Sequence, residues 1–354
     1  MANLKKTKNG TWQATVYIGR EANGKMKRKY ITRATKKEAK LAAEELEREI
    51  AENKFIDIDH LRLITYATKW LDLHKLNLAP ETYKNYTYYV NHTFQEYFGD
   101  IQLNRLTEIH IRDFLNYESE KGLSNTTIRK HFFVLRKILK DAMRDKSPCR
   151  YIDPPSPQKH IPHVITDEEF QQIHNYVRGT FDELPILLAG WCGLRRGELF
   201  ALRVNDLDFS SSTIRVDENQ ASSVDGTVYK GPKSRNGYRT MIVPPYLMNL
   251  LADYIRKQSL IGMNDLIFDI KAVSYSKRFH TIILDLGLEG IRFHDLRHYH
   301  ATFLHNSGID DFYAANRMGH DINVMRGIYQ HLQIDRKETI DTHLKNTFQT
   351  KKFS

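Results

Sequence analysis

Cysteine is scarce in this chain. Cys149 and Cys192 are the only two among 354 residues. Two cysteines exclude a disulfide framework and a cysteine-rich zinc site, and they suit a reduced, cytoplasmic protein. No apolar run approaches the roughly 18 residues that a membrane span needs. The first residues are polar and basic and lack the apolar stretch of a signal peptide, so neither export nor membrane attachment is expected. No internal repeat or low-complexity block is visible. Acidic residues are rare in one place above all. Residues 1–40 hold only Glu21 and Glu38, against Lys5, Lys6, Lys8, Arg20, Lys25, Lys27, Arg28, Lys29, Arg33, Lys36, Lys37 and Lys40. The formal net charge of the whole chain is +10, and these forty residues account for all of it. A positive field so concentrated suits a polyanion.

That basic segment is patterned for folding, unlike a solvated tail. Trp12, Ala14, Val16 and Ile18 alternate with polar neighbours, the period of a half-buried strand. Asn23-Gly24 signals a tight turn into a second strand over residues 25–33. Thr35-Lys-Lys-Glu38 reads as a capping box opening a helix, with Ala39, Ala42, Leu46 and Ile50 as its buried stripe. The second strand carries Lys25, Lys27, Arg28, Lys29 and Arg33, and a two-stranded ribbon fits a DNA major groove. These five residues are candidate DNA contacts.

Residues 62–150 read as helical throughout. Ala67, Trp70, Leu71 and Leu73 mark one helix, and Pro80 suits the first turn of the next, which runs through Tyr83, Tyr86, Tyr89, Val90 and Phe94. Further helices follow Thr107 and Ser124, the last with Ile128, Phe132, Leu135, Ile138 and Leu139 on one face. The tyrosines read as core. Lys130, Arg136 and Lys137 face outward, toward DNA or toward solvent. The proline-rich residues 151–165 read as a linker, and a capping box at Thr166–Glu169 opens a third region. The expected architecture is therefore multidomain. A small three-stranded sheet with one helix (1–54) precedes an all-α domain (62–150) and a linker (151–165). A mixed, mainly α domain with a small antiparallel sheet (166–345) and a short tail (346–354) complete it.

Chemistry gathers in four places of the third region. "HDLRHYH", residues 294–300, sets His294 and His298 four apart, a spacing that can ligate a metal. No third ligand stands at an obvious spacing, and the fixed charge of Arg297 repels a dication. His294 and Arg297, three apart, share a helix face and suit a phosphate, which a guanidinium binds through two oxygens. In "GLRRGELFAL" Arg195 lies between Gly193 and Gly197, and Glu198 is placed to hold its fork. "KGPKSRNGYRT" reads as a basic hairpin turning at Asn236-Gly237, with Lys233 on a stem long enough to reach a substrate and able to give up a proton. In "MGHDINVMRGIYQHL" His320 precedes Tyr329 by nine residues. That is about 2.5 helical turns, so the segment must break, at Asn323 or Gly327, for both to meet one ligand.

The ordered set of Gly-x-Arg-x-Gly-Glu, hairpin lysine, His-x-x-Arg, Gly-His and a tyrosine nine residues on resembles the tyrosine recombinase, or phage integrase, family. The likeness extends over the chain: the basic N-terminal unit resembles the arm-DNA-binding domain of temperate-phage and conjugative-transposon integrases, and the helical segment their core-binding domain. The resemblance implies an enzyme that cleaves and rejoins DNA through a 3′-phosphotyrosyl intermediate. Arg195 and Arg297 would clamp the scissile phosphate, Lys233 would protonate the leaving oxygen and Tyr329 would attack. His294 and His320 would bind the phosphate or assist proton transfer, and Glu198 would support the site. Expected partners are core-type and arm-type DNA sites, three further copies in a tetramer on DNA, and an accessory excision or DNA-bending protein. No metal or cofactor is expected. Cys192, Met318, Tyr299 and Arg326 stand where the family usually has other residues, but none removes a reactive group. Competing readings are a decayed, inactive DNA-binding regulator, a metal-dependent nuclease and a type IB topoisomerase.

Overall fold

A computed structural model of the chain describes residues 2–20, 24–52, 61–157, 163–232, 235–319 and 321–323. Asn23, Lys233, His320, Arg326, Tyr329 and the 346–354 tail lie outside the described residues. The chain divides into two units, Met1–Leu76 with Tyr86–Gln158, and Asn77–Asn85 with Lys159–Ser354.

In the first unit β1 (Asn3–Lys6), β2 (Trp12–Arg20) and β3 (Met26–Arg33) form an antiparallel sheet in that order. The alternation in β2 works as expected: Ala14 and Val16 are buried against α1 (Lys36–Ala51). The Thr35 hydroxyl accepts from the Glu38 amide at 3.2 Å, and the Glu38 carboxylate accepts from the Thr35 amide at 3.3 Å. The buried stripe of α1 uses Ala39, Ala43 and Leu46. Ala43 replaces the expected Ala42, because steps of four and then three residues keep one face toward the sheet. Lys25, Lys27, Arg28 and Arg33 are exposed, while Lys29 is half-buried opposite Val16.

The helical part holds α2 (Leu63–His74), α3 (Pro80–Tyr88), α4 (Gln95–Phe98), α5 (Glu108–Glu120) and α6 (Asn125–Met143). Ile128, Phe132, Leu135, Ile138 and Leu139 of α6 are buried as anticipated. Ala67, Trp70, Leu71 and Leu73 all lie on α2, whose buried residues are Leu63, Ala67, Trp70 and Leu71. One reading needs correction. Tyr83, Tyr86 and Tyr89 are only half-buried, whereas Val90 and Phe94 are core. A π-helical turn at Tyr89–Phe94 widens the helix there and resets which side chains face inward. On α6 Lys130 is exposed, Arg136 is half-buried, and the Lys137 ammonium lies 5.5 Å from the Trp70 ring centre.

The second unit packs α7 (Asp167–Val177), α8 (Glu183–Cys192), α9 (Arg196–Leu199), α10 (Pro245–Lys257), α11 (Ala272–Asp285), α12 (Asp295–Asn306) and α13 (Asp311–Met318) with two small sheets. Helix α8 is apolar on nearly every side and runs through the core, the behaviour expected of such a helix. One sheet orders β4 (Leu207–Asp208), β5 (Thr213–Val216) and β8 (Arg239–Ile242); the other pairs β6 (Asn219–Ser223) with β7 (Gly226–Lys230). The hairpin expected around Asn236-Gly237 does not form. Strands β7 and β8 belong to different sheets, and Arg235–Gly237 is a turn of 3-10 helix in the connection between them. Gly237 is packed so tightly on Pro232 that an added Cβ would come within 2.2 Å of the proline ring. The connection therefore crosses from sheet to sheet instead of folding back on itself.

Candidate active site

The site is built around a buried carboxylate. Glu198 lies on α9, directly after the Gly193–Gly197 turn, and is 2% exposed. Its carboxylate accepts from the Arg195 amide (2.9 Å) and the Arg195 Nη1 (2.6 Å). It also accepts from Arg239 Nη1 (3.1 Å) and Nη2 (2.8 Å), and Arg297 Nη1 stands 3.9 Å away. Burial by itself would raise this carboxyl's pKa. The Arg239 hydrogen bonds and charge, with the charges of Arg297 and Arg195, outweigh burial and hold it at about 2. Three guanidiniums around one carboxylate leave a local excess of two positive charges.

The glycines of the motif allow close packing of the protein on itself. Gly193 ends α8 with φ +66°, and a Cβ there would meet His300 Cδ2 and Met318 Sδ at 2.6 Å. A Cβ on Gly197 would meet the Asn219 side chain at 2.3 Å and the Gln220 carbonyl at 2.6 Å. The sequence thus lets α12 and β6 close onto the arginine turn.

Arg297 and His294 do not share an aspect. Arg297 is 1% exposed, and its terminal nitrogens donate to the Gly193 and Met318 carbonyls. Its buried Nε has no hydrogen-bond partner among the described residues. Burial and then the Arg195 charge oppose its positive charge, while Glu198 supports it. His294, the residue before α12, is exposed at the rim. Partial burial of the ring among its neighbours, followed by the His298 and Arg297 charges, lowers its pKa. Its ring stands perpendicular to that of His298, with centres 5.0 Å apart. Asp295, fully buried, accepts from the Arg292 amide (2.7 Å) and Nη2 (3.1 Å), and so anchors the start of α12.

Arg195, 32% exposed, donates Nη2 to the Gly319 carbonyl at 2.6 Å. It lines a cleft of about 600 Å³ together with Arg196, Asn219, His280, Arg292 and His294. Arg196 is held by the Ser276 hydroxyl at 2.6 Å. The structure thus joins Arg195, Glu198 and Arg297 by ion pairs and sets His294 on the cleft that Arg195 lines. Gly319, one position before His320 in the sequence, is bonded to Arg195. Pro232 and Arg235–Gly237 flank Lys233 in the chain.

Three of the four residues that depart from the resembled motifs, Tyr299, Met318 and Cys192, lie among the described residues and are accommodated locally. Tyr299 stacks on Phe170 (4.5 Å between centres) and donates its hydroxyl to Asp167 at 2.8 Å. Met318 is core with Ala301, Leu304, Ala314 and Ala315. Cys192 is fully buried, which pushes its thiol to about 12 and leaves it inert. Sequence reasoning missed Arg239, Arg292, Asp295 and His280. For Arg239 the signal was present. It occupies the same strand face as Met241 and Val243, and a cation on an apolar face must be paired.

Comparison with known proteins identifies the family to which the chain is similar. The phage integrase family profile matches residues 163–336, the phage integrase N-terminal SAM-like domain profile residues 63–119, and the arm DNA-binding domain profile residues 3–50. A tyrosine recombinase XerC-like protein of Caldanaerobacter subterraneus subsp. tengcongensis is 27% identical, with 96% of this chain and 98% of that one covered. The ICEBs1 integrase of Bacillus subtilis is 25% identical, over 95% of this chain and 97% of its own length. Among solved structures, the Tn1549 transposon integrase in complex with transposon right end DNA superposes with a TM-score of 0.68 at 20% identity, over 80% of this chain and 100% of that one. A lambda integrase tetramer bound to a Holliday junction gives 0.58 at 16% identity, over 90% and 95%. The chain belongs to the phage integrase family and is a tyrosine recombinase, an enzyme of site-specific DNA recombination.

Proposed function

We propose that Arg195 and Arg297 neutralise the scissile phosphate, that Tyr329 is the nucleophile, and that Lys233 is the acid for the leaving group. A phosphodiester repels nucleophiles, and attack adds charge to its nonbridging oxygens. Cations already fixed where that charge develops lower the barrier, and loss of one such donor commonly costs about 100-fold or more. The observation that carries the reading is the pairing of Arg195 and Arg297 with one buried carboxylate, Glu198, directly behind the cleft that Arg195 lines. The Nε donor of Arg297, without a partner among the described residues, supports it too. A buried donor without a partner costs about 1–3 kcal/mol, which an anionic oxygen would offset.

In the proposed step the Tyr329 oxygen forms a bond to phosphorus and the P–O5′ bond breaks. The phenolic proton passes to a nearby acceptor, with His294 and His320 as the candidates, and the 5′ oxygen takes a proton from Lys233. About one free tyrosine in a thousand is ionised at pH 7, so the cations must favour the phenolate. The phosphotyrosyl ester conserves the broken linkage, and a 5′ hydroxyl from another strand reverses the step without ATP. Exchange between two duplexes takes four such sites, hence four copies on DNA. The N-terminal sheet, with Lys25, Lys27, Arg28, Lys29 and Arg33, would bind arm-type sites. Lys130, Arg136 and Lys137 would contribute core-site contacts. One chain could then bridge two DNA segments in the host nucleoid, with an accessory DNA-bending protein setting direction. The test is incubation with a nicked core-site duplex: wild-type protein forms a covalent 3′ adduct stable to denaturation, and Tyr329→Phe forms none. An adduct in that variant would remove Tyr329 from the mechanism.

A further inference from the structure

Arg196 has no part in the chemistry set out above, although it adjoins Arg195 in the chain. It is half-buried at the first position of α9. Its Nη1 donates to the Ser276 hydroxyl of α11 at 2.6 Å, the one hydrogen bond of this side chain among the described residues. The neighbouring cations are held differently. Arg195 shares the Glu198 carboxylate, and Arg292 is met by Asp295 at 3.1 Å. Arg196 makes no ion pair among the described residues. A guanidinium carries five N–H donors, so most of those on Arg196 are uncommitted to the protein. Two hollows meet at this side chain. One is the cleft of about 600 Å³ that Arg195 and His294 also line. The other, of about 260 Å³, lies between the β6–β7 hairpin and the start of α11, with Ser222, Thr227, Lys271 and Ser274 on its wall. Arg196 is the one cation common to both among the described residues. Gln220 lines both as well, but its amide nitrogen donates to the Phe200 and Ile270 carbonyls, each at 3.1 Å. Glu81 is the one acidic residue on either wall among the described residues. In the smaller hollow Lys84 offsets it, which leaves Arg196 and Lys271 as the excess charge.

We propose that Arg196 binds a second DNA phosphate, the one beside the scissile phosphate on the cleaved strand, with its fork anchored by Ser276. The proposal rests on the reading of Arg195 as a ligand of the scissile phosphate. Arg195 is fastened to the Gly319 carbonyl and Arg196 to Ser276. The two forks are thus held on separate elements and serve two groups rather than one. A DNA strand supplies the second group, since it carries a charge for every 3.4 Å of rise. A hydroxyl is the fitting anchor for such a residue. It orients the guanidinium through one bond and leaves the charge for the ligand, where a carboxylate would neutralise it.

The experiment measures equilibrium binding of the full-length protein to an intact core-site duplex over a salt series. The duplexes carry phosphates throughout, or one neutral methylphosphonate at the scissile position or at either neighbour. Wild type, Arg195→Ala, Arg196→Ala and Arg196→Gln are compared. Arg196→Ala is expected to bind the unmodified duplex about 10-fold more weakly, the effect of one charge-assisted contact. The slope of log affinity against log salt should fall in magnitude by about one. A methylphosphonate at one neighbouring position should weaken wild type to the same degree and leave Arg196→Ala unaffected, while the scissile methylphosphonate weakens both. Should Arg196→Ala melt early, Arg196→Gln, which keeps a polar side chain and loses the charge, is read in the same way. Wild-type affinity and slope in the Arg196 variants, or a loss that neither neighbouring methylphosphonate masks, overturns the proposal alone. Masking at the scissile position instead shows a disturbed Arg195 and overturns it equally. If the loss in Arg195→Ala is not masked by the scissile methylphosphonate, the reading of the phosphate clamp falls, and the proposal with it.

Discussion

Replacing Glu198 by glutamine tests whether this carboxylate is the counterion of the arginine cluster. The change conserves shape and removes the charge that three guanidiniums share. It also turns an amide N–H₂ toward an arginine donor that previously met an oxygen. The structure sets the size of the effect. Holding the carboxyl from 4.5 down to about 2 corresponds to about 3 kcal/mol of native-state stabilisation at neutral pH. With Glu198 only 2% exposed, little of this is lost to solvent screening. Removing one partner of a buried ion pair costs about 3–5 kcal/mol, the same range. For a domain of this size each kcal/mol moves the melting temperature by roughly 2–4 °C, so Glu198→Gln should melt roughly 6–12 °C lower at pH 7. The pH dependence has a definite sign. The carboxyl is more acidic in the folded protein than in the unfolded chain. Its contribution is complete above pH 4.5 and disappears as pH falls toward 2, so the gap between variant and wild type should close over that window. Thermal melts followed by circular dichroism from pH 7 to pH 3 provide the measurement. A variant that melts within about 2 °C of wild type at pH 7, or a gap that widens in acid, would refute the assignment.

Two further outcomes are expected. His300 is buried, and its Nε2 accepts from the Arg317 Nε at 3.2 Å; burial, then the charges of Arg317 and Arg297, lower its pKa to about 3. The unfolded chain takes up this proton first as pH falls below 6.5, so the neutral imidazole should cost wild type about 2 kcal/mol between pH 7 and pH 5. His300→Gln should flatten that slope, and coincident pH–stability curves for the two proteins would contradict it. A chain lacking residues 1–54 should lose salt-sensitive binding to arm-type DNA while still cleaving core sites; unchanged arm-site binding in gel-shift titrations would show that the basic sheet is not the arm reader.

The sequence alone determined whatever depends on local periodicity and on local charge. The alternation of β2, the capping boxes at Thr35 and Thr166, the apolar face of α6 and the +10 charge gathered before residue 41 are properties of neighbours in the chain. The resemblance of spaced motifs further identified Arg195, Glu198 and Arg297 as one set, and the ion pairs join them. Only the tertiary structure decided how those motifs are held. It separated β7 from β8, against the pull of Asn236-Gly237, because Gly237 packs on Pro232 and β8 finds its partner in β5. It turned Arg297 inward to the Gly193 and Met318 carbonyls while leaving His294 at the rim. It brought Arg239, 41 residues from Glu198, onto the same carboxylate. Strand and helix periodicity encode which face of an element is buried, but the partner that a buried charge finds there comes from a distant segment, and no local rule specifies it.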